Sequence, residues 1–203
     1  MKKKTKILAI GDIHGDTGLV KKLAAKAKKE NIDVVILAGD LTFAEISTKN
    51  LIGPFTKAKK PVLIIPGNHE SEETIKFLSE TYPNARNLHG YYYKKREIGF
   101  FGAGGADFGI NPVENKEMFN LLKKSHKKIQ DAKTKIMVTH MHPYGGKSEF
   151  SGFKGSKAIR KAIDKFHPKI LINAHIHEAG GIEEKIGKTK VVNVSRKPRV
   201  FEI

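Results

Sequence analysis

Five short apolar runs in this chain each end in a side chain that could bind a cation. Residues 6–10 lead into Gly11-Asp12-Ile13-His14-Gly15, residues 34–38 into Gly39-Asp40, and residues 62–66 into Gly67-Asn68-His69-Glu70. Residues 136–139 lead into His140, and residues 170–174 into His175-Ile176-His177. Five of the nine histidines fall at these points. Carboxylate oxygen, amide oxygen and imidazole nitrogen together suit divalent cations of intermediate hardness. On an extended strand end, residues i and i+2 point the same way. Asp12 and His14 are therefore expected to enter one site, as are His175 and His177. Asp40 could bridge two cations with its two oxygens. Two cations roughly 3.5–4 Å apart can stabilise both the attacking and the leaving oxygen of an in-line displacement, and can acidify bound water.

Such residues need a frame that brings strand ends together. Residues 5–10, 33–38 and 62–65 read as buried strands. Residues 17–30 and 71–80 read as helices, the first with Leu19, Val20, Leu23, Ala24 and Ala27 on one face. Residues 45–57 are expected to be helical with a break near Gly53-Pro54. Tyr91-Tyr92-Tyr93 and residues 98–102 suggest short antiparallel strands, and residues 111–130 hold a lysine-rich helix. Residues 135–139 and 169–174 are strands, and 156–166 is a helix. Gly187-Lys188 is a hairpin turn before residues 191–194. Continuous apolar strands alternating with helices predict a covered sheet whose strand ends line a ligand crevice. Strand pairs in the second half suggest two sheets face to face with helices outside, in a single domain over residues 1–203.

Bulk composition excludes several alternatives. The 203 residues are 39% hydrophobic and 29% charged, a globular balance. No apolar run approaches the ~20 residues needed to cross a bilayer, and the basic start is too soon interrupted for a signal peptide. A cytoplasmic protein without membrane partners is the expectation. The absence of cysteine leaves only oxygen and imidazole as metal donors. The net charge is +17, but the lysines are scattered in pairs such as Lys21-Lys22 and Lys127-Lys128. Nucleic acid is accordingly a secondary partner, behind a small phosphate ester.

Taken in order, Gly11-Asp12-Ile13-His14, Gly39-Asp40, Gly67-Asn68-His69-Glu70, Thr139-His140 and His175-Ile176-His177 resemble the successive blocks of the calcineurin-like metallophosphoesterases. The small prokaryotic branch related to cyclic-nucleotide phosphodiesterases is the most similar. That resemblance implies a four-layer α/β/β/α sandwich with two mixed sheets flanked by helices. It implies one metal on Asp12, His14 and His177, and another on Asn68, His140 and His175, with Asp40 bridging. It further implies a hydroxide between the metals as nucleophile and His69 as the acid or electrostatic group at the leaving oxygen. Manganese is the expected metal; iron, zinc, nickel and magnesium fit the same donors. The implied activity is hydrolysis of phosphodiesters or phosphomonoesters. A nuclease of the same design, and a metal-binding scaffold without catalysis, are the alternatives. Two departures stand out: Ala174 replaces the usual glycine before the paired histidines, and Asn193-Val194-Ser195-Arg196 replaces an Asn-Pro-Gly pattern.

Other residues have simpler readings. Asp16 is a helix cap, and Glu70 and Glu72 suit the dipole of the following helix. His142 is a loop residue that could reach substrate, while His89, His126 and His167 are surface or structural. Tyr91 to Tyr93 alternate in a sheet. Arg196 and Arg199 are surface charges that could clamp a phosphate. Specificity is expected in the loops after Gly102, His140 and Asn193.

Overall fold

The computed structural model describes residues 4–203 and contains two β-sheets. The first has strand order β11-β1-β2-β3-β4, built from β1 (Lys6–Ile10), β2 (Val34–Ala38), β3 (Val62–Ile65), β4 (Ala85–Asn87) and β11 (Arg199–Glu202). Only β11 runs antiparallel to its neighbour. The second sheet has order β5-β6-β7-β8-β10-β9. Its strands are β5 (Tyr92–Lys95), β6 (Ile98–Ala103), β7 (Thr134–Thr139), β8 (Ile170–Asn173), β9 (Glu183–Ile186) and β10 (Thr189–Asn193). The strands from β6 to β10 run parallel, with antiparallel β5 and β9 at the edges.

The apolar runs lack a polar face because both faces are covered. Leu8, Ile10, Val35, Leu37, Val62 and Ile64 pack against α1 (Thr17–Lys29), α2 (Gly53–Lys57) and α3 (Glu72–Thr81). Their alternating neighbours Ile7, Ala9, Val34, Ile36, Leu63 and Ile65 meet Phe100, Ile136, Val138 and Ile172 of the second sheet. Beyond that sheet, Phe101, Met137 and Leu171 pack against α4 (Asn115–Lys127) and α5 (Lys157–Phe166). The result is the expected four-layer α/β/β/α sandwich. No helix among the described residues is long and apolar enough to cross a membrane.

Two helices are shorter than their sequence pattern suggests. Residues 45–52 are not helical, because Glu45 and Asn50 adopt left-handed backbone. The Glu45 carboxylate instead accepts hydrogen bonds from Ser71 N–H and from the Thr74 hydroxyl. Pro54 stands in the first turn of α2, where its missing N–H costs nothing, so it starts that helix rather than breaking one. Likewise α4 begins only at Asn115, with Glu114 as its cap. Strand β4 lacks a readable pattern: its three residues, Ala85-Arg86-Asn87, pair in parallel with β3.

Candidate metal centre

β1, β2, β3, β7 and β8 end on one side of the sandwich, and their following residues converge there. Turning, not strand alternation, aims the side chains. Asp12 (φ 56°), His14 (φ 47°), Asp40 (φ 51°) and His175 (φ 73°) all lie in the left-handed region. β1 stops at Ile10, so the expectation that an extended strand directs Asp12 and His14 together is corrected. They share a site because left-handed turns fold them into it. Such backbone costs about 1–3 kcal/mol per residue and persists only where its surroundings over-determine it.

Those surroundings are hydrogen bonds between the loops. Asp12 N–H donates to Gly39 O at 3.1 Å, and His14 N–H to Asp40 O at 2.9 Å. Gly39, at φ 86°, packs so tightly that an added Cβ would strike the His140 ring. A Cβ on Gly67 would likewise strike the Asp40 carboxylate. Glycine is required at both points because the metal-type side chains press on the backbone.

Within the crevice the donors form two overlapping groups. Asp12 Oδ1 lies 3.6 Å from His177 Nε2 and 4.0 Å from His14 Nε2, and the two imidazole nitrogens are 3.1 Å apart. His140 Nε2 lies 3.1 Å from Asn68 Oδ1 and 3.2 Å from His175 Nδ1. Asp40 stands between the groups. Its Oδ1 accepts His69 N–H at 3.0 Å, which leaves Oδ2 as the central atom. Oδ2 is 3.5 Å from His140, 3.8 Å from His14 and 4.0 Å from His69. Asp40 would therefore be available to cations held by either group.

The donor set fits divalent cations. Asp12 Oδ1 is buried and has no hydrogen-bond partner among the described residues. His140 Nδ1 donates to Ala38 O at 2.9 Å, which leaves Nε2 to present its lone pair to a cation, as in many histidine–metal sites. Without a cation the site is electrostatically divided. Burial pushes the Asp40 carboxyl up, but the adjacent His140 pulls it further down, to well below the usual carboxylate range. His140 is opposed by burial yet raised to about 9 by Asp40. Burial, reinforced by His140, drives His175 down to about 3. The two facing imidazoles are thus driven in opposite directions, His140 towards and His175 away from the charged form.

The braces behind these donors were not identified from the sequence. Glu70 is not part of α3, whose cap is Ser71, and it is fully buried. This corrects the reading of Glu70 as a helix-dipole residue. Its Oε2 accepts from Asp40 N–H at 3.0 Å and Gly67 N–H at 2.8 Å; its Oε1 accepts from Thr42 N–H at 2.6 Å. Burial and the charge of Asp40 push its carboxyl up to about 7, against the pull of those N–H groups. Its place directly after Asn68-His69 was the available signal. Ser195 is the second brace: its hydroxyl donates to Asp12 Oδ2, which also accepts His175 N–H at 3.1 Å. Asn193 supports Ser195, accepting its N–H at 2.8 Å. The departure from Asn-Pro-Gly thus places a serine hydroxyl on a candidate ligand.

The remaining polar residues divide clearly. His69 borders the crevice, its ring 4.9 Å from that of His14. Asp16 caps α1 by accepting Leu19 N–H at 2.8 Å. His142 is buried and bonded to Phe153 O, not an open loop residue. His89 is buried between Gly104 N–H and Glu72, and His126 stacks on Phe166. Arg199 pairs with Glu183 at 2.7 Å, whereas exposed Arg196 faces His177 closely enough to oppose its protonation. Ala174 is accommodated because its methyl points at Gly11, where no Cβ competes.

Residues 5–179 match the calcineurin-like phosphoesterase family, and the chain belongs to that family. Among solved structures, TT1561 of Thermus thermophilus aligns with a TM-score of 0.78 and 21% identity, over 95% of this chain and 90% of that one. A dimetal phosphatase from Danio rerio aligns at 0.63 and 12% identity, over 94% and 87%. An archaeal phosphodiesterase aligns at 0.58 and 16% identity, over 98% and 99%. These likenesses show the fold. No functionally curated protein matches the sequence.

Proposed function

We propose that this chain is a binuclear-metal-dependent phosphoesterase that favours phosphodiesters over phosphomonoesters. The observation that carries this reading is the convergence of Asp12, His14, Asn68, His140, His175 and His177 around Asp40 Oδ2, with Asp12 Oδ1 left without a partner. One group, Asp12, His14 and His177, would hold the first cation. Asn68, His140 and His175 would hold the second, with Asp40 shared between them. When bound, two such cations supply Lewis-acid neutralisation of phosphoryl oxygens and an acidified water. Manganese is the proposed metal.

The chain's own residues then orient and protonate. Glu70 and Ser195 fix Asp40 and Asp12 from behind, so the donors are in place before substrate arrives. His69 is held through its own N–H, by Asp40 Oδ1, with its ring partly exposed at the crevice. In this reading it gives a proton to the departing ester oxygen, the general-acid role. The charge of +17 supports a second reading, a nuclease of the same design, for which steep loss of activity with salt would be diagnostic.

The test is hydrolysis of bis-p-nitrophenyl phosphate and p-nitrophenyl phosphate by metal-stripped protein, each divalent metal being added back in turn. Manganese-dependent turnover of the diester, absent in Asp40→Asn, is expected. No turnover and no metal uptake with any ion would remove the enzyme reading in favour of a scaffold.

A further inference from the structure

Ten large apolar side chains are exposed among the described residues, and seven lie in the segments that follow β2, β6 and β7 at the crevice end. Scattered exposed apolar residues are ordinary, but concentration around one mouth is not. Two of the seven touch the candidate metal ligands or their neighbour. Phe43 is 56% exposed, stacks on His69 at 5.1 Å with 25° between the rings, and meets His14 edge-on at 6.0 Å. Phe108 is 48% exposed and lies 5.5 Å from His175. Phe43 therefore flanks a donor of the first group, and Phe108 one of the second.

Neither ring hangs on a slack loop. Thr42, next to Phe43, is pinned by Glu70 and donates its hydroxyl to His69 O at 3.0 Å. Glu45 N–H returns to the Thr42 hydroxyl, closing a tight turn around Phe43. On the other side, Ile110 N–H donates to Asn68 O at 2.8 Å. Gly109, at φ 97°, packs directly on Asn68, so Phe108 is tied to the same strand-end loop as a candidate ligand. Rings fixed in advance lose little freedom on binding a ligand. One face of Phe43 is covered by His69, and its exposure leaves flat apolar surface for a partner.

We infer that Phe43 and Phe108 form a stacking rim that selects phosphoesters whose retained, non-leaving group is planar and aromatic, of which a nucleoside is the biological type. The inference rests on the phosphoesterase reading and narrows its substrate class. A polar crevice between two flat rings suits a molecule that is charged at phosphorus and planar a few ångströms away. Base–aromatic stacking contributes about 1–3 kcal/mol per base, independent of base identity, so the rim would favour nucleosides as a class.

The test compares three diesters with one leaving group: thymidine 5′-(p-nitrophenyl phosphate), methyl p-nitrophenyl phosphate and octyl p-nitrophenyl phosphate, with the manganese-loaded protein. The thymidine ester is expected to exceed the methyl ester in kcat/KM. Phe43→Leu and Phe108→Leu, which keep apolar bulk but remove the ring, should each cut that preference about fivefold or more, the equivalent of ~1 kcal/mol of stacking. Phe77→Ala, a change at an exposed ring on α3, should leave the preference unaltered. Calorimetric binding of thymidine 5′-phosphate against methyl phosphate should show the same order of variants. If the octyl ester is the best substrate, or if all three esters fall in proportion in the leucine variants, the stacking rim is wrong while the phosphoesterase reading stands. If the wild-type protein hydrolyses none of them with any metal, the phosphoesterase reading fails and the rim falls with it.

Discussion

Replacing Glu70 by glutamine tests whether the metal donors are braced from behind. In the native site Oε2 takes Asp40 and Gly67 N–H, and Oε1 takes Thr42 N–H, with the Thr42 hydroxyl oxygen 3.2 Å away. A glutamine keeps one oxygen and turns the other into a donor. Its better orientation keeps the oxygen on Asp40 and Gly67 and points the amide at Thr42. The Thr42 hydroxyl can accept, since it already donates to His69 O, but Thr42 N–H cannot. One buried N–H is left unmatched, at a cost of about 1–3 kcal/mol. Alanine would strand three N–H groups and approach the whole ~5–15 kcal/mol of a typical domain, so glutamine is the informative change. Urea unfolding of metal-free protein should show that loss. Manganese titration should show affinity down by about 10–100-fold, the usual effect of losing an outer partner of a ligand. Glu73→Gln, on the exposed first turn of α3, should stay within about 0.5 kcal/mol. Equal stability and equal manganese affinity in Glu70→Gln would refute the bracing argument.

Four further outcomes are expected. Gly11→Ala drives a methyl into Ala174 and should cost about 1–3 kcal/mol in urea unfolding; adding Ala174→Gly should restore most of it, a coupling that a double-mutant cycle measures. Ser195→Ala removes a hydrogen bond to the Asp12 carboxylate and should destabilise by about 1.5–3 kcal/mol, with a matching weakening of metal binding by titration. His69→Ala should retain two metals by elemental analysis yet lose about 10²–10⁴-fold in rate, more for alkyl than for nitrophenyl leaving groups; loss of metal instead would make His69 a ligand. Manganese at 1,000 times its dissociation constant should stabilise the wild-type protein by about 4 kcal/mol, a shift that chelator reverses and Asp40→Asn lacks.

The parts of this molecule that were readable in advance are those encoded locally. Continuous apolar runs announced covered strands, and the spacing of Ala158, Ile159, Ala162, Ile163 and Phe166 announced the buried face of α5. The donors were readable because each directly follows such a run. What escaped was determined by distant partners. Residues 45–52 were mistaken for helix because nothing local shows that Glu45 bonds to Ser71 and Thr74. The role of Glu70 depends on backbone N–H groups 28 and 30 residues earlier. That of Ser195 depends on Asp12, 183 residues away. Strand alternation brought Asp12 and His14 together for the wrong reason, since periodicity says nothing of left-handed turns.

The bond from Ser195 to Asp12 has a consequence for how the protein is made. β1 lies between β2 and β11, and Gly11 N–H donates to Val194 O while Arg196 N–H donates to Gly11 O. The first candidate ligand in the chain is therefore secured by a segment made 183 residues later. Until residues 193–196 have emerged, Asp12 lacks its lateral support and β1 has an open edge. A nascent chain that stops short of residue 193 would already carry every candidate ligand from Asp12 to His177 and still leave Asp12 unbraced.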